Sequence, residues 1–126
     1  MTTEALKFIK ESMEQLELPY EFLVWTSDLV FPYIVGEYTE VESFEGDDLQ
    51  EETNFLLTAT TNTCFMDLEE IKETIKNFFP EYGMTAILDN GSGIAVSFTT
   101  AFPVQSGEQG LYRMQINLKI KEWKGC

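Results

Sequence analysis

Tyr112-Arg113-Met114-Gln115-Ile116-Asn117-Leu118-Lys119-Ile120-Lys121 decides the fold. Tyr112, Met114, Ile116, Leu118 and Ile120 alternate with Arg113, Gln115, Asn117, Lys119 and Lys121 without an error. Period two is the signature of a half-buried strand. A slip of one residue would bury the whole polar set, so the register is firm. Leu111–Trp123 therefore predicts a strand with one face on a core and the other in water.

Upstream of this strand, Pro103 and the Ser106-Gly107…Gly110 loop predict a break. Before it, Met84–Leu88 and Ile94–Thr99 flank Asp89-Asn90-Gly91-Ser92-Gly93. Asn-Gly between two apolar runs predicts a hairpin, because both residues tolerate the left-handed backbone of a tight turn. Further back, Leu68, Ile71, Ile75, Phe78 and Phe79 make one stripe of a helix over Asp67–Phe79. Asp67 with Glu70 three residues on reads as a capping box, and Pro80 with Gly83 ends the helix. Thr53–Thr63 predicts a strand rich in β-branched residues. Tyr33–Ser43 predicts another, with Gly36 marking a bulge or a close approach of another backbone. Phe22–Thr26 predicts a short strand. Leu6, Ile9, Met13 and Leu16 predict a first helix over residues 3–17, capped by Thr2 or Thr3 and stopped by Pro19.

The order is α-β-β-β-α-β-β-β. It predicts a single α+β domain over residues 1–126, a mainly antiparallel sheet with two helices packed on one face.

Charge is the second strong signal. The chain carries 22 acidic and 8 basic residues, a net charge of −14. Such a chain repels nucleic acid and anionic membranes, which are gripped by Lys and Arg. The charge is unevenly spread. Glu40–Glu52 holds seven acids and no base: Glu40, Glu42, Glu45, Asp47, Asp48, Glu51 and Glu52. This density predicts a solvated loop before the Thr53 strand. Residues 113–126 hold Arg113, Lys119, Lys121 and Lys124 against Glu122 alone.

The residue types set limits on chemistry. There is no histidine, so Ser-His-Asp and Cys-His machinery are excluded. Two cysteines, Cys64 and Cys126, are too few for a structural zinc site. With no secretory signal in front of them they predict reduced thiols in a cytosolic protein. Cys64 has no basic neighbour in sequence to activate it. Asp47-Asp48 with Glu51-Glu52 lacks the alternating spacing of a calcium loop. Gly91-Ser92-Gly93 lacks the trailing glycine and helix of a phosphate cradle and reads as a turn. The aromatic group Trp25, Phe31, Tyr33 and Tyr38 reads as core or interface. No catalytic residue, metal or cofactor is expected, and no enzyme activity.

Three stretches together resemble a family of small tail-completion proteins of phages and prophages of Gram-positive bacteria. They are Leu18–Phe22 leading to Trp25 and Tyr33–Tyr38, then Asp89–Val96, then Met114–Trp123. The family usually carries a more basic stretch before the last motif, where this chain has Gly110-Leu111-Tyr112-Arg113. The resemblance implies a tail-terminator or head–tail-joining role in the virion tail or neck, with assembly in the host bacterial cytoplasm. It implies a ring, usually hexameric, that caps the tail tube and meets a neck or connector protein. DNA passes through such a lumen without being specifically bound, and no membrane is involved. Rings need head-to-tail contacts between two different patches. The expected pair is the acidic Glu40, Glu42, Glu45, Asp47, Asp48, Glu51 and Glu52 against Arg113, Lys119 and Lys121, meeting across subunits. A soluble acidic binding module, such as a DNA-mimicking inhibitor or small adaptor, is the alternative. Mimicry needs carboxylates scattered at phosphate-like spacing, whereas this chain concentrates them.

Overall fold

The computed structural model describes residues 2–28, 30–41, 50–88, 91–105 and 107–123. The side chains of residues 41, 50 and 51 lie outside that description, as do all of residues 42–49. Two helices, α1 (Thr3–Gln15) and α2 (Phe65–Phe78), accompany six strands. The strands are β1 (Tyr20–Phe22), β2 (Tyr33–Val41), β3 (Gln50–Thr61), β4 (Met84–Ile87), β5 (Gly93–Val104) and β6 (Tyr112–Trp123).

The strands form one sheet in the order β1-β2-β3-β6-β5-β4. The sheet is mixed: β1 runs parallel to β2 and the other neighbours are antiparallel. The strand around Leu111–Trp123 takes a central place between β3 and β5. Its alternation is observed from Met114 on: Met114, Ile116, Leu118 and Ile120 are buried, and the residues between them are partly exposed, whereas Tyr112, expected on the same buried face, is 41% exposed at the start of the strand.

Directly opposed residues share a face. The register therefore lines Ile116 and Leu118 with Leu57 and Phe55 of β3, and Ile120 with Val96 of β5. Ile34 of β2 joins through Ala59. This inner face meets Ala5, Ile9 and Met13 of α1 and Leu68, Ile71 and Ile75 of α2 in one core. Truncating one of the larger members, such as Leu57 or Leu118, to Ala would cost about 2–5 kcal/mol.

The helix ends follow local chemistry. Thr2 Oγ1 accepts from the Ala5 N–H at 3.2 Å and caps α1. At the other end the Leu18 N–H reaches Met13 O at 3.0 Å, with Glu17 in the left-handed region at φ 59°. A non-glycine there is uncommon. Helix α2 starts two residues earlier than the periodicity predicts. Cys64 is its N-cap residue, and Asp67 instead receives a hydrogen bond from the Thr63 hydroxyl from inside the first turn. That placement still suits a carboxylate, which favours the positive end of a helix.

Three strands differ from expectation. The first lies at Tyr20–Phe22 rather than Phe22–Thr26, because the backbone turns at Leu23, which has φ 70°. Gln50–Glu52 belong to β3, where pairing with β6 holds acidic residues in a strand. Strand β5 continues through Pro103, which pairs with Met114. Proline is tolerated there because β4 covers only Gly93–Val96, so this half of β5 is an edge. A register shift between Phe98 and Thr100 marks a bulge at the point where β5 loses β4.

Gly36 is fixed by packing. A Cβ at this position would lie 2.7 Å from Tyr20 Oη and 2.9 Å from Phe55 Cε1. The Tyr20 ring crosses the β2 backbone where only glycine leaves room.

Candidate functional site

The outer sheet face carries the polar half of β6. Its side chains are joined to one another. The Asn117 amide donates to Thr100 Oγ1 at 2.8 Å and accepts from Gln115 Nε2 at 3.2 Å. The Thr99 hydroxyl donates to the Asn117 carbonyl at 2.8 Å. Lys119 Nζ sits 2.6 Å from Glu52 Oε1. A shallow depression lies over Asn54, Leu56, Thr99, Asn117 and this ion pair.

Acidic and basic groups expected to meet between subunits are thus partly joined within one. Glu52 faces Lys121 in the register and bonds Lys119 diagonally. The acidic start of β3 and the basic end of β6 are brought together because the two strands pair along their whole length. Arg113 is remote from them, opposite Thr60 and Val104 at the other end of β6. Glu40 is exposed and opposes Thr53, so its side chain leaves β2 on the other face from Glu52. Glu42, Glu45, Asp47 and Asp48 lie outside the described residues, as does the side chain of Glu51.

Sequence reasoning missed a second surface. Between α1 and β1 runs a groove of about 530 Å³, lined by Leu6, Lys7, Lys10, Tyr20, Phe22 and Val24. Its rim is the loop after β1, where Leu23 and Val24 are 64% and 60% exposed. The loop is held from below. Glu21 accepts from the Thr26 hydroxyl at 2.6 Å and from the Thr26 and Ser27 N–H groups, each at 3.1 Å. These bonds, the Thr26 hydroxyl first, hold the Glu21 carboxyl below its ordinary range. Trp25 and Phe31 both pack on Tyr33, with ring centroids 5.3 and 5.7 Å away. The aromatic group read as core or interface is therefore the platform of this loop, while Tyr38 stacks on Phe22.

The opposite outermost strand, β4, ends in Ile87, which is 77% exposed. Tyr82, in the turn before β4, is 92% exposed. The signal for Leu23 and Val24 was the polar Thr26-Ser27-Asp28 run directly after them, which marks a turn and not a strand. Ile87 gave no signal, since alternation sorts two faces without saying which one is wet.

Among the described residues no three His, Cys, Asp or Glu side chains converge as metal ligands would. Cys64 is a free, exposed thiol. No helix is long and apolar enough to cross a membrane. The chain matches no family model and no curated protein.

Proposed function

We propose that the protein is a structural subunit that assembles with copies of itself, as a tail-terminator or tail-completion ring that caps a tail tube and joins it to the neck. The resemblance of Leu18–Tyr38, Asp89–Val96 and Met114–Trp123 to that family names the role. The observation that supports assembly is the set of large apolar side chains at the two outermost strands: Leu23 and Val24 beside β1, Tyr82 and Ile87 beside β4. Edge strands offer unpaired backbone groups, and exposed apolar side chains beside them mark a contact surface.

A net charge of −14 fits a lumen through which DNA passes without adhering. The polar outer face, with its internal amide and hydroxyl bonds, fits a surface that docks rather than reacts.

Light scattering on the purified chain, alone and with tail tubes, tests the reading. A ring-sized particle, seen by electron microscopy at the tube end, is the expected result. A chain that stays monomeric in both settings sinks it. Tight DNA binding at physiological salt would count instead for a nucleic-acid partner.

A further inference from the structure

Helix α1 faces both outermost strands of the sheet, and its charges are sorted by side. Thr3, Leu6, Lys7 and Lys10 border the groove against β1, where the one acid, Glu21, is taken up by its bonds to Thr26 and Ser27. Glu4, Phe8 and Glu11 border a smaller depression against Ile87 and Leu88 at the end of β4, with Lys7 on the boundary at a loose 4.0 Å from Glu11, a long exposed pair that leaves Glu11 able to take a second cation. Each flank ends in exposed aliphatic side chains: Leu23 and Val24 on the basic flank, Ile87 on the acidic one. The outward edges of β1 and β4 have no strand partner among the described residues.

We propose that the β1 flank of one copy docks on the β4 flank of a second copy. This rests on the reading of the chain as a self-assembling subunit and names the surfaces involved. Leu23 and Val24 cover Ile87, and Lys10 faces Glu4 and Glu11. A second copy is the fitting occupant because the same chain carries both halves, Lys10 on one and Glu4 and Glu11 on the other, each with exposed aliphatic side chains beside it. The aliphatic contact at the centre supplies affinity, and the flanking charges set register. Approach of one edge strand to another also gives the open backbone groups a partner. Because the two flanks differ, the contact is head-to-tail, repeats from copy to copy, and closes as a ring where the rotation allows.

Disulfide trapping tests this in a Cys64→Ser/Cys126→Ser background. Val24→Cys chains are mixed with Ile87→Cys chains and oxidised under mild conditions. The expected product is a covalent dimer containing one chain of each variant, severalfold above either variant oxidised alone. A doubly substituted Val24→Cys/Ile87→Cys chain should give a ladder of higher species. Lys10→Glu should lower the mixed product severalfold, and Glu4→Lys/Glu11→Lys on the Ile87→Cys chain should restore it. If wild-type chains form multimers by light scattering yet the mixed pair does not cross-link, the surfaces are wrong and the ring reading stands. If the doubly substituted chain stops at a dimer, the flanks pair about a two-fold axis; head-to-tail docking then fails, and the ring reading with it. Failure of the charge exchange to restore the product overturns the assignment of Lys10 to Glu4 and Glu11.

Discussion

The Thr2 hydroxyl donates a 2.5 Å hydrogen bond to Glu122 Oε1, tying the start of α1 to the end of β6. The Thr2 N–H lies 3.4 Å from each oxygen of the same carboxylate, which is only 5% exposed. An anion at the positive end of a helix is favoured, and hydrogen bonds to a charged group are worth about 1.5–3 kcal/mol. Glu122→Ala should therefore destabilise the fold by about 2–3 kcal/mol, and Thr2→Val by about 1–2 kcal/mol through the lost cap. The double variant should cost less than the two together, because both remove one network. Urea unfolding measures this. A Glu122→Ala midpoint no lower than that of the exposed control Glu14→Ala would refute it.

Gly36 and Tyr20 form a second coupled pair. Gly36→Ala places a methyl group 2.7 Å from Tyr20 Oη, an overpacking that costs about 1–3 kcal/mol. Burial pushes the Tyr20 phenol above its ordinary pKa, and its hydroxyl has no hydrogen-bond partner among the described residues. Tyr20→Phe removes that unpaired group, so it should leave stability unchanged or raise it. Gly36→Ala in the Tyr20→Phe background should be milder than in the wild type. Equal losses in the two backgrounds would show that the hydroxyl is not what the new methyl strikes, and would place the clash on the Tyr20 ring edge and Phe55.

Both members of the Lys119–Glu52 pair are substantially exposed, and such pairs contribute about 0–1 kcal/mol. Lys119→Gln should lower stability by less than about 1 kcal/mol. It should also leave the assembly state unchanged, since Lys119 already has its partner within the chain. Loss of multimers on this single neutral substitution would return Lys119 to the subunit contact.

The Glu21 carboxyl supplies a pH dependence. Its folded pKa is lowered, so its contribution is present above the unfolded carboxylate value of about 4.3 and is lost as pH falls through the folded value. The loop at Trp25 should therefore loosen below roughly pH 4. Trp25 fluorescence in a Trp123→Phe background reads the loop directly. Glu21→Gln should already show the loosened signal at neutral pH. A flat profile in both proteins would mean that the aromatic platform alone fixes the loop.

These sites differ in how far the sequence discloses them. Strand β6 is legible from Met114 to Lys121 because each residue there declares its own face. The hairpin at Gly91 is legible because its turn chemistry is local. Gly36 is half legible: its place in a strand announces a bulge or an approaching backbone, whereas what approaches is the Tyr20 ring, brought there by β1 lying parallel to β2. The parallel pairing has no local signature. Neither does Glu122, which reads as one more charge in a polar run until Thr2 arrives from the far end of the chain. The Glu52–Lys119 contact illustrates the same gap. Opposite charges are visible in the sequence, but whether they meet within a chain or between chains depends on strand order. The exposed Leu23, Val24 and Ile87 escape notice because an apolar residue carries no mark of whether it is covered.

Strand β6 follows the other five strands in chain order, yet it sits in the middle of the sheet. During synthesis β3 and β5 each wait for a neighbour that has not yet been translated, and α1 waits for the carboxylate of Glu122. The β2–β3 and β4–β5 hairpins can form early, but the core cannot close around them. The core thus cannot close until β6 has emerged, because its long-range contacts run to that strand. A nascent chain stalled before Tyr112 would expose two apolar half-sheets, which makes that interval the one most open to aggregation and to chaperone capture.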